Sequence, residues 1–238
     1  MGLLWRPHPA WGESLRVAVA SNFNHAMTAL VEAFEKQSDH QVIPVYGSTG
    51  KHFAQIHHGA PFELFLAADI KRPRLLEKSG EGISQSRFTY AIGRLALWSP
   101  EAHTVTSGGG VLETGHFRYL ALANPKLAPY GLAAREVLEQ RGIWSSLRGR
   151  LVRGENIGQA FQFVKSGNAQ LGFVALAQIQ HPGQPLSGSH WLVPASLHTP
   201  LEQQGILLKE SPGGRALIDF IQGEKGRAII QAHGYGVP

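Results

Sequence analysis

Small hydroxyl and amide side chains stand at the points where predicted strands end and helices are predicted to begin. Ser21 and Asn22 follow the apolar strand LRVAVA, Ser48 and Thr49 come shortly after QVIPVY, and Tyr130 stands at the start of a later helix. Helix starts present backbone N–H groups without intrahelical partners and a partial positive charge. Neutral donors of this kind suit a small oxyanion. The same residue types are also ordinary helix caps, so the pattern alone does not name the ligand.

The motifs of several enzyme classes are incomplete or missing. The segment GSTGK lacks the first glycine of a phosphate-binding loop, where Val45 stands, and His52 replaces the required hydroxyl. The sequence contains no G-x-S-x-G elbow and no H-E-x-x-H zinc motif, and Asp69 is more typical of a helix cap than of a general base. The absence of cysteine excludes thiolate chemistry. We therefore predict a protein that is not an enzyme and has no directly ligated metal.

Strands and helices alternate along the whole sequence. In the first helix the apolar residues recur at three- and four-residue spacing, which is typical of a helix that packs on a sheet. The predicted strands are 15–20, 41–46, 63–67, 91–98, 119–123, 150–152, 170–175 and 205–208, the segment 181–190 is predicted as a loop, and the last helical region is 214–232. Strands that alternate with helices over short connections form parallel sheets covered on both faces.

The predicted fold class is α/β with two lobes, each a mostly parallel sheet flanked by helices. Lobe 1 is predicted to comprise 15–91 and 203–238, lobe 2 to comprise 92–202, and 1–14 to be an N-terminal extension. In open α/β sheets a ligand binds beyond the carboxyl ends of the strands. We therefore expect the ligand cleft between the two lobes.

The composition limits the class of protein further. The chain has 238 residues, of which 43% are hydrophobic and 16% charged, so it is too apolar for a disordered protein. Its 22 basic and 17 acidic residues give a net charge of +5, but the basic residues are scattered, which argues against nucleic-acid binding. No apolar run reaches the roughly 18 to 20 residues that cross a bilayer. The N-terminus lacks a signal-peptide pattern, so either none existed or it has been removed.

Four segments resemble the periplasmic molybdate-binding protein family of ABC transporters. They are VAVASNFNHAM, VYGSTGKHFAQIHHGAPFELFLAAD, ENIGQAFQFVKSGNAQLGFVAL and GRAIIQAHGYG, among which GAPFELFLAAD is the most specific. The resemblance extends from about Leu15 to the C-terminus. It implies a two-lobed type II periplasmic binding protein fold that closes about a hinge over a dehydrated oxyanion. It also implies molybdate or tungstate as ligand, no cofactor, delivery to an ABC permease, and a periplasmic monomer whose signal peptide has been removed.

The resemblance also implies the ligand-binding positions. They are Ser21 and Asn22 in a first anion-binding turn, Ser48 and Thr49 in a second, Tyr130 at a third, and Ile157 at a fourth that contributes its backbone N–H. Many members of the family have a ligand-contacting tyrosine where Ala175 stands, and serine where Asn22 stands. This chain is similar to the branch in which asparagine takes the first site and an earlier tyrosine, here Tyr130, supplies the phenol.

Other functions remain open at this stage. A binding protein for another anion, such as sulfate or a small organic anion, has the same composition. An oxyanion-sensing regulatory domain of the same architecture normally carries a DNA-reading helix-turn-helix, for which the residues before Leu15 are too few. A phosphatase-like hydrolase is the remaining alternative, although no nucleophile and base can be assigned.

Overall fold

The structure is a computed structural model that describes residues 14–238. The predicted extension 1–14 therefore lies outside the described residues, apart from Ser14, which is the first residue of a strand. Within the described residues no helix is both long enough and apolar enough to cross a membrane.

The strands and helices alternate through the described part of the chain, as predicted. The strands are β1 Ser14–Ala20, β2 Gln41–Gly47, β3 Leu64–Leu66, β4 Phe88–Gly93, β5 Leu95–Ser99, β6 Leu120–Ala123, β7 Leu151–Gly154, β8 Leu171–Ala175, β9 Ser189–Leu192 and β10 Leu201–Leu207. The helices are α1 Asn24–Glu35, α2 Thr49–His57, α3 Lys71–Ser79, α4 Val111–Thr114, α5 Pro129–Gln140, α6 Trp144–Leu147, α7 Ile157–Lys165, α8 Pro212–Gln222 and α9 Glu224–Ala232. A 3₁₀ turn, Ser21–Phe23, joins β1 to α1.

The strands form two five-stranded sheets, in the orders β2-β1-β3-β10-β4 and β7-β6-β8-β5-β9. In the first sheet β2 and β3 are parallel to β1, and β10 runs antiparallel to both β3 and β4. In the second sheet β7 and β8 are parallel to β6, and β5 runs antiparallel to both β8 and β9. All strands of each sheet except β10 and β5 thus share one direction. The predicted two-lobed α/β fold with mostly parallel sheets is confirmed; we call the lobes built on these sheets the first and second lobe.

The chain passes between the two sheets twice. Arg94 separates β4 of the first sheet from β5 of the second, and the return lies between β9 and β10. The single long strand predicted at 91–98 is therefore wrong, because the apolar run continues on both sides of Arg94 and hides the change of sheet. The predicted loop at 181–190 is also wrong at its end, since β9 begins at Ser189 and pairs with β5.

The core of the first lobe lies on both faces of β1. Val17 and Val19 pack with the apolar stripe of α1 and with α8 and α9, whereas Ala18 faces the opposite side, towards Ile56 and Leu76 of α2 and α3. A strand buried on both faces reads as a continuous apolar run, which is why LRVAVA lacks alternation. The C-terminal helices therefore belong to the first lobe and hold its sheet from the side opposite α2.

Candidate functional site

Four helix starts converge in one pocket between the two lobes. The 3₁₀ turn after β1 and helix α2 come from the first lobe, and α5 and α7 come from the second. The pocket is lined by Ala20, Ser21, Asn22, Gly47, Ser48, Thr49, Ala68, Ala128, Pro129, Tyr130, Asn156 and Ile157. All six residues that the sequence singles out lie among them. The unpaired N–H groups and the positive dipole ends of four helices thus face a single point.

The lining is uncharged, because the residues just named include no Asp, Glu, Lys, Arg or His. The cavity has a volume of about 10 Å³, at the lower limit of what one water molecule needs. The lining groups of the two lobes therefore lie close together. A site of this kind offers neutral dipoles at short range, and dipoles act strongly on a charge where little water lies between them.

Three hydroxyl groups of the pocket accept hydrogen bonds from backbone N–H groups. The Oγ1 of Thr49 accepts from the N–H of Ala68 at 3.1 Å, and the Oγ of Ser48 accepts from the N–H of Lys51 at 3.3 Å. The Oγ of Ser21 accepts from the N–H of Gly158 across the cleft, at 3.2 Å. A hydroxyl whose oxygen accepts keeps its own proton to donate. Ser48 is thus both a cap of α2 and a donor available to the pocket.

Asn22 lines the pocket, but its side-chain amide is committed elsewhere. The Nδ2 of Asn22 donates to the Oε1 of Gln203 at 2.9 Å and to the hydroxyl of Tyr235 at 3.1 Å. Both N–H groups of the amide are used by these bonds. The group that Asn22 leaves for a ligand is its backbone N–H, which lies in the first turn of a helix.

Tyr130 contributes a buried phenol at the second residue of α5. Its hydroxyl oxygen accepts from the Nε2 of Gln203 at 3.2 Å. Burial raises the pKa of the Tyr130 phenol well above its usual value, while the hydrogen bond from Gln203 lowers it by a smaller amount. The phenol therefore stays protonated at neutral pH and can donate.

Ile157 is the first residue of α7 and offers a backbone N–H. The preceding residue, Asn156, caps the helix by accepting from the N–H of Gln159 at 3.0 Å, and the N–H of Gly158 is taken by Ser21. The N–H of Ile157 lies between these two bonded groups and has no partner within the helix. Its side chain is buried in the core of the second lobe.

Contacts across the mouth of the cleft hold the lobes together. The N–H of Gly50 in α2 donates to the carbonyl oxygen of Leu127 at 2.8 Å. The Nζ of Lys51 lies 3.2 Å from the Oε1 of Glu155. Each contact joins one lobe to the other next to the pocket, so the closed arrangement is stabilised by groups that do not themselves line it.

We expect that Lys51→Met changes affinity for an anionic ligand by less than about fivefold. The side chains of Lys51 and Glu155 are 50% and 37% exposed, and exposed ion pairs contribute at most about 1 kcal/mol. Glu155→Gln removes the same pair and is the matched variant. Titrations at low and high salt check this, because salt should abolish the small difference. A change above tenfold would place this pair in the binding site itself.

A larger groove lies beside the pocket but differs in chemistry. Its volume is about 460 Å³, and it shares Ala68, Ala128 and Pro129 with the pocket. The half-exposed side chains of Ile70 and Leu132 form part of its wall. Its lining mixes the cations Lys71, Arg72 and Lys126 with the acids Asp69, Glu136 and Glu202. It therefore lacks the uncharged set of donors that the helix starts give the small pocket, and we place the functional site in the small pocket.

Three residues behind the pocket were not predicted from the sequence. Gln203, Tyr235 and Gly93 surround the Asn22 amide and the Tyr130 phenol. Gln203 occupies an inward position of β10, but this alternation is seen only in the burial of the strand, because in the sequence Gln203 stands between Glu202 and Gln204. No comparable pattern marks Tyr235 or Gly93.

Comparison with known proteins agrees with this geometry. The chain is 46% identical over 231 residues to the molybdate-binding protein ModA of Azotobacter vinelandii, covering 96% of this chain and 92% of that protein. It is 39% identical to ModA of Rhodobacter capsulatus, covering 95% of this chain and 90% of the relative. The solved structure of the Azotobacter vinelandii periplasmic molybdate-binding protein superimposes with a TM-score of 0.92 at 41% identity, covering 94% of this chain and 99% of that one.

The family model described as "Bacterial extracellular solute-binding protein" matches residues 15–236. This range contains both sheets, apart from Ser14 at the start of β1, and all four helix starts of the pocket. The chain therefore belongs to the family of bacterial extracellular solute-binding proteins.

Proposed function

We propose that this protein captures molybdate or tungstate in the pocket between its lobes and delivers the oxyanion to an ABC permease, without chemical turnover. The observation that carries the proposal is the convergence of four helix starts and several neutral donors on one uncharged pocket. The high identity to two molybdate-binding proteins supports the choice of ligand. We further propose that it works in the periplasm as a monomer, and the similarity to a periplasmic molybdate-binding protein supports the periplasmic location.

Neutral donors are well suited to a dianion that must later be released. Backbone N–H groups at helix starts and hydroxyl protons share the charge among several dipoles. A buried lysine or arginine would add a strong ion pair at a large desolvation cost, and it would slow release to the permease. The uncharged lining therefore favours reversible capture.

Selectivity in this proposal comes from size and from the protonation of the ligand. Each donor of the site needs an acceptor, because an unpaired buried donor costs about 1 to 3 kcal/mol. Molybdate, tungstate and sulfate present only acceptors at neutral pH and differ in size. Hydrogen phosphate presents a proton towards a donor, so the site should reject it.

Calorimetric titration tests this function directly. Purified protein is titrated with molybdate, tungstate, sulfate and phosphate in separate runs at pH 7.5. We expect tight binding of the first two, weak or no binding of sulfate, and none of phosphate. If sulfate alone binds, the ligand assignment is wrong. If no anion produces heat or a thermal shift, the proposed function fails.

We expect Thr49→Ala to weaken molybdate binding by about 1 to 3 kcal/mol, the cost of leaving a buried hydrogen-bonding group without its partner. Thr49 is buried at the start of α2, and its oxygen already accepts from Ala68, so its proton is the part available to the anion. Thr28→Ala is the control, because Thr28 is exposed on α1, donates to the backbone oxygen of Asn24 and does not line the pocket. Titration of both variants gives the comparison, and an unchanged dissociation constant for Thr49→Ala would remove this hydroxyl from the site.

A further inference from the structure

Gln203 lies at the centre of a buried hydrogen-bond network behind the pocket. Its side chain, on β10, is fully buried and does not line the cavity. The Oε1 of Gln203 accepts from the Nδ2 of Asn22 at 2.9 Å and from the hydroxyl of Tyr90 at 3.1 Å. The Nε2 of Gln203 donates to the hydroxyl of Tyr130 at 3.2 Å. One amide therefore connects a pocket residue of the first lobe with one of the second.

A backbone carbonyl fixes which atoms of this network donate. The hydroxyl of Tyr235 donates its only proton to the backbone oxygen of Asn22, at 2.7 Å. The oxygen of Tyr235 can then only accept from the Asn22 side chain, so the atom facing it at 3.1 Å must be the amide nitrogen. The same nitrogen faces Gln203, which must present its oxygen there. The nitrogen of Gln203 is therefore turned towards Tyr130.

The orientation of the Gln203 side-chain amide determines the hydrogen-bonding role of the Tyr130 phenol. Because its oxygen accepts from Gln203, its proton is not used by that bond and remains for the pocket. The reversed amide would present an oxygen to the phenol and take this proton. The direction of one buried amide thus decides whether the phenol offers a donor or an acceptor to the ligand.

We propose that Gln203 is a positioning residue that holds Tyr130 as a hydrogen-bond donor, so that this side of the pocket accepts only an oxyanion oxygen without a proton. The inference rests on the proposed function and adds the residue that sets the donor direction on which selection of a fully deprotonated tetrahedral oxyanion depends. Gln203 acts through Tyr130 and is not among the residues that line the pocket.

The variant Gln203→Glu tests the direction of the network. A carboxylate accepts from the phenol, withdraws its proton from the pocket, and places a negative charge behind the anion. We expect molybdate affinity to fall at least 100-fold at pH 9 and to recover by tenfold or more at pH 6. Burial and the nearby anion raise the pKa of this carboxyl, and the neutral acid can donate to Tyr130 as the amide does. The ionisable groups facing this position, Tyr90 and Tyr130, have raised pKa values, as does Tyr235 beyond Asn22, so the native affinity should stay flat over this range.

Matched variants separate this role from a structural one. Gln204→Glu makes the same change on the next residue of β10, where the side chain meets Arg87 instead, and should leave affinity unchanged at every pH.

Gln203→Met and Tyr130→Phe should each weaken binding, and the double variant should be no weaker than Tyr130→Phe alone, because Gln203 acts through the phenol. Together, Gln203→Met, Tyr130→Phe and their double variant test the inference even when Gln203→Glu does not fold. Additive losses, or a Gln203→Glu variant with native affinity at pH 9, would overturn the inference, whereas absence of molybdate binding by the native protein would overturn the proposed function.

Discussion

Gly93→Ala is expected to reduce molybdate affinity more than 100-fold while the protein still folds. A Cβ atom at position 93 would overlap the hydroxyl of Tyr130 and lie 2.7 Å from the Nε2 of Gln203. Both side chains are buried and bonded to each other, so moving either one away from the new Cβ strains or breaks this bond. The backbone of Gly93 is not in the left-handed region, so alanine adds no dihedral strain there. The variant therefore displaces the phenol by sterics alone, at a stability cost of about 1 to 3 kcal/mol for overpacking.

Titration and thermal unfolding check this expectation. Gly110→Ala is the matched control, since a Cβ at Gly110 meets nothing within 4 Å and its backbone is right-handed helical. It should keep native affinity and equal or slightly higher stability. Adding Tyr130→Phe to Gly93→Ala should restore part of the lost stability, because it removes the overlapping oxygen. Native affinity of Gly93→Ala would show that the position of the Tyr130 hydroxyl does not matter for binding.

The positions of the site elements follow from local sequence signals. Helix α7 begins at Ile157, because Asn156 caps its first turn and the apolar residues within the helix keep helical spacing. The first helix and the strand before it are also found where predicted, with Ala26, Met27, Leu30 and Phe34 buried. Local chemistry of this kind depends only on neighbours in sequence. It accounts for five of the six predicted residues in the pocket, whereas Ile157 was expected only from the family resemblance.

The features that could not be predicted from the sequence are contacts between residues far apart in the chain. The bond between Asn22 and Gln203 joins residues 181 positions apart, and that between Gln203 and Tyr130 joins residues 73 apart. Contacts between residues so far apart produce no periodic pattern in the sequence. The hydrogen bonds of the Asn22 side-chain amide to Gln203 and Tyr235 were therefore not predicted. The change of sheet at Arg94 was missed for a related reason: both flanking segments are apolar, and only their pairing partners differ.

Ile157→Pro is expected to reduce molybdate affinity at least 100-fold by removing a single backbone donor. A lost hydrogen bond to a charged ligand accounts for about 1.5 to 3 kcal/mol. The ring atom that replaces the N–H proton also occupies space where the anion would lie. Proline suits this position otherwise, because it is favoured at the first residue of a helix, and the preceding Asn156 has φ −139° and ψ 173°, the extended conformation that proline requires before it. The fold should therefore survive a substitution that deletes the donor.

The side chain of Ile157 is buried, so the variant also loses core packing, and Ile157→Ala serves to separate the two effects. Alanine removes a similar part of the core, at a cost of about 2 to 5 kcal/mol in stability, but keeps the N–H group. We expect Ile157→Ala to bind molybdate within about fivefold of the native protein once both are folded at the temperature of the titration. Equal losses of affinity in the two variants would mean that packing around α7, and not the N–H of Ile157, governs binding. A loss confined to Ile157→Pro would identify a main-chain donor of the second lobe as a ligand of the anion, which no side-chain substitution at this position can test.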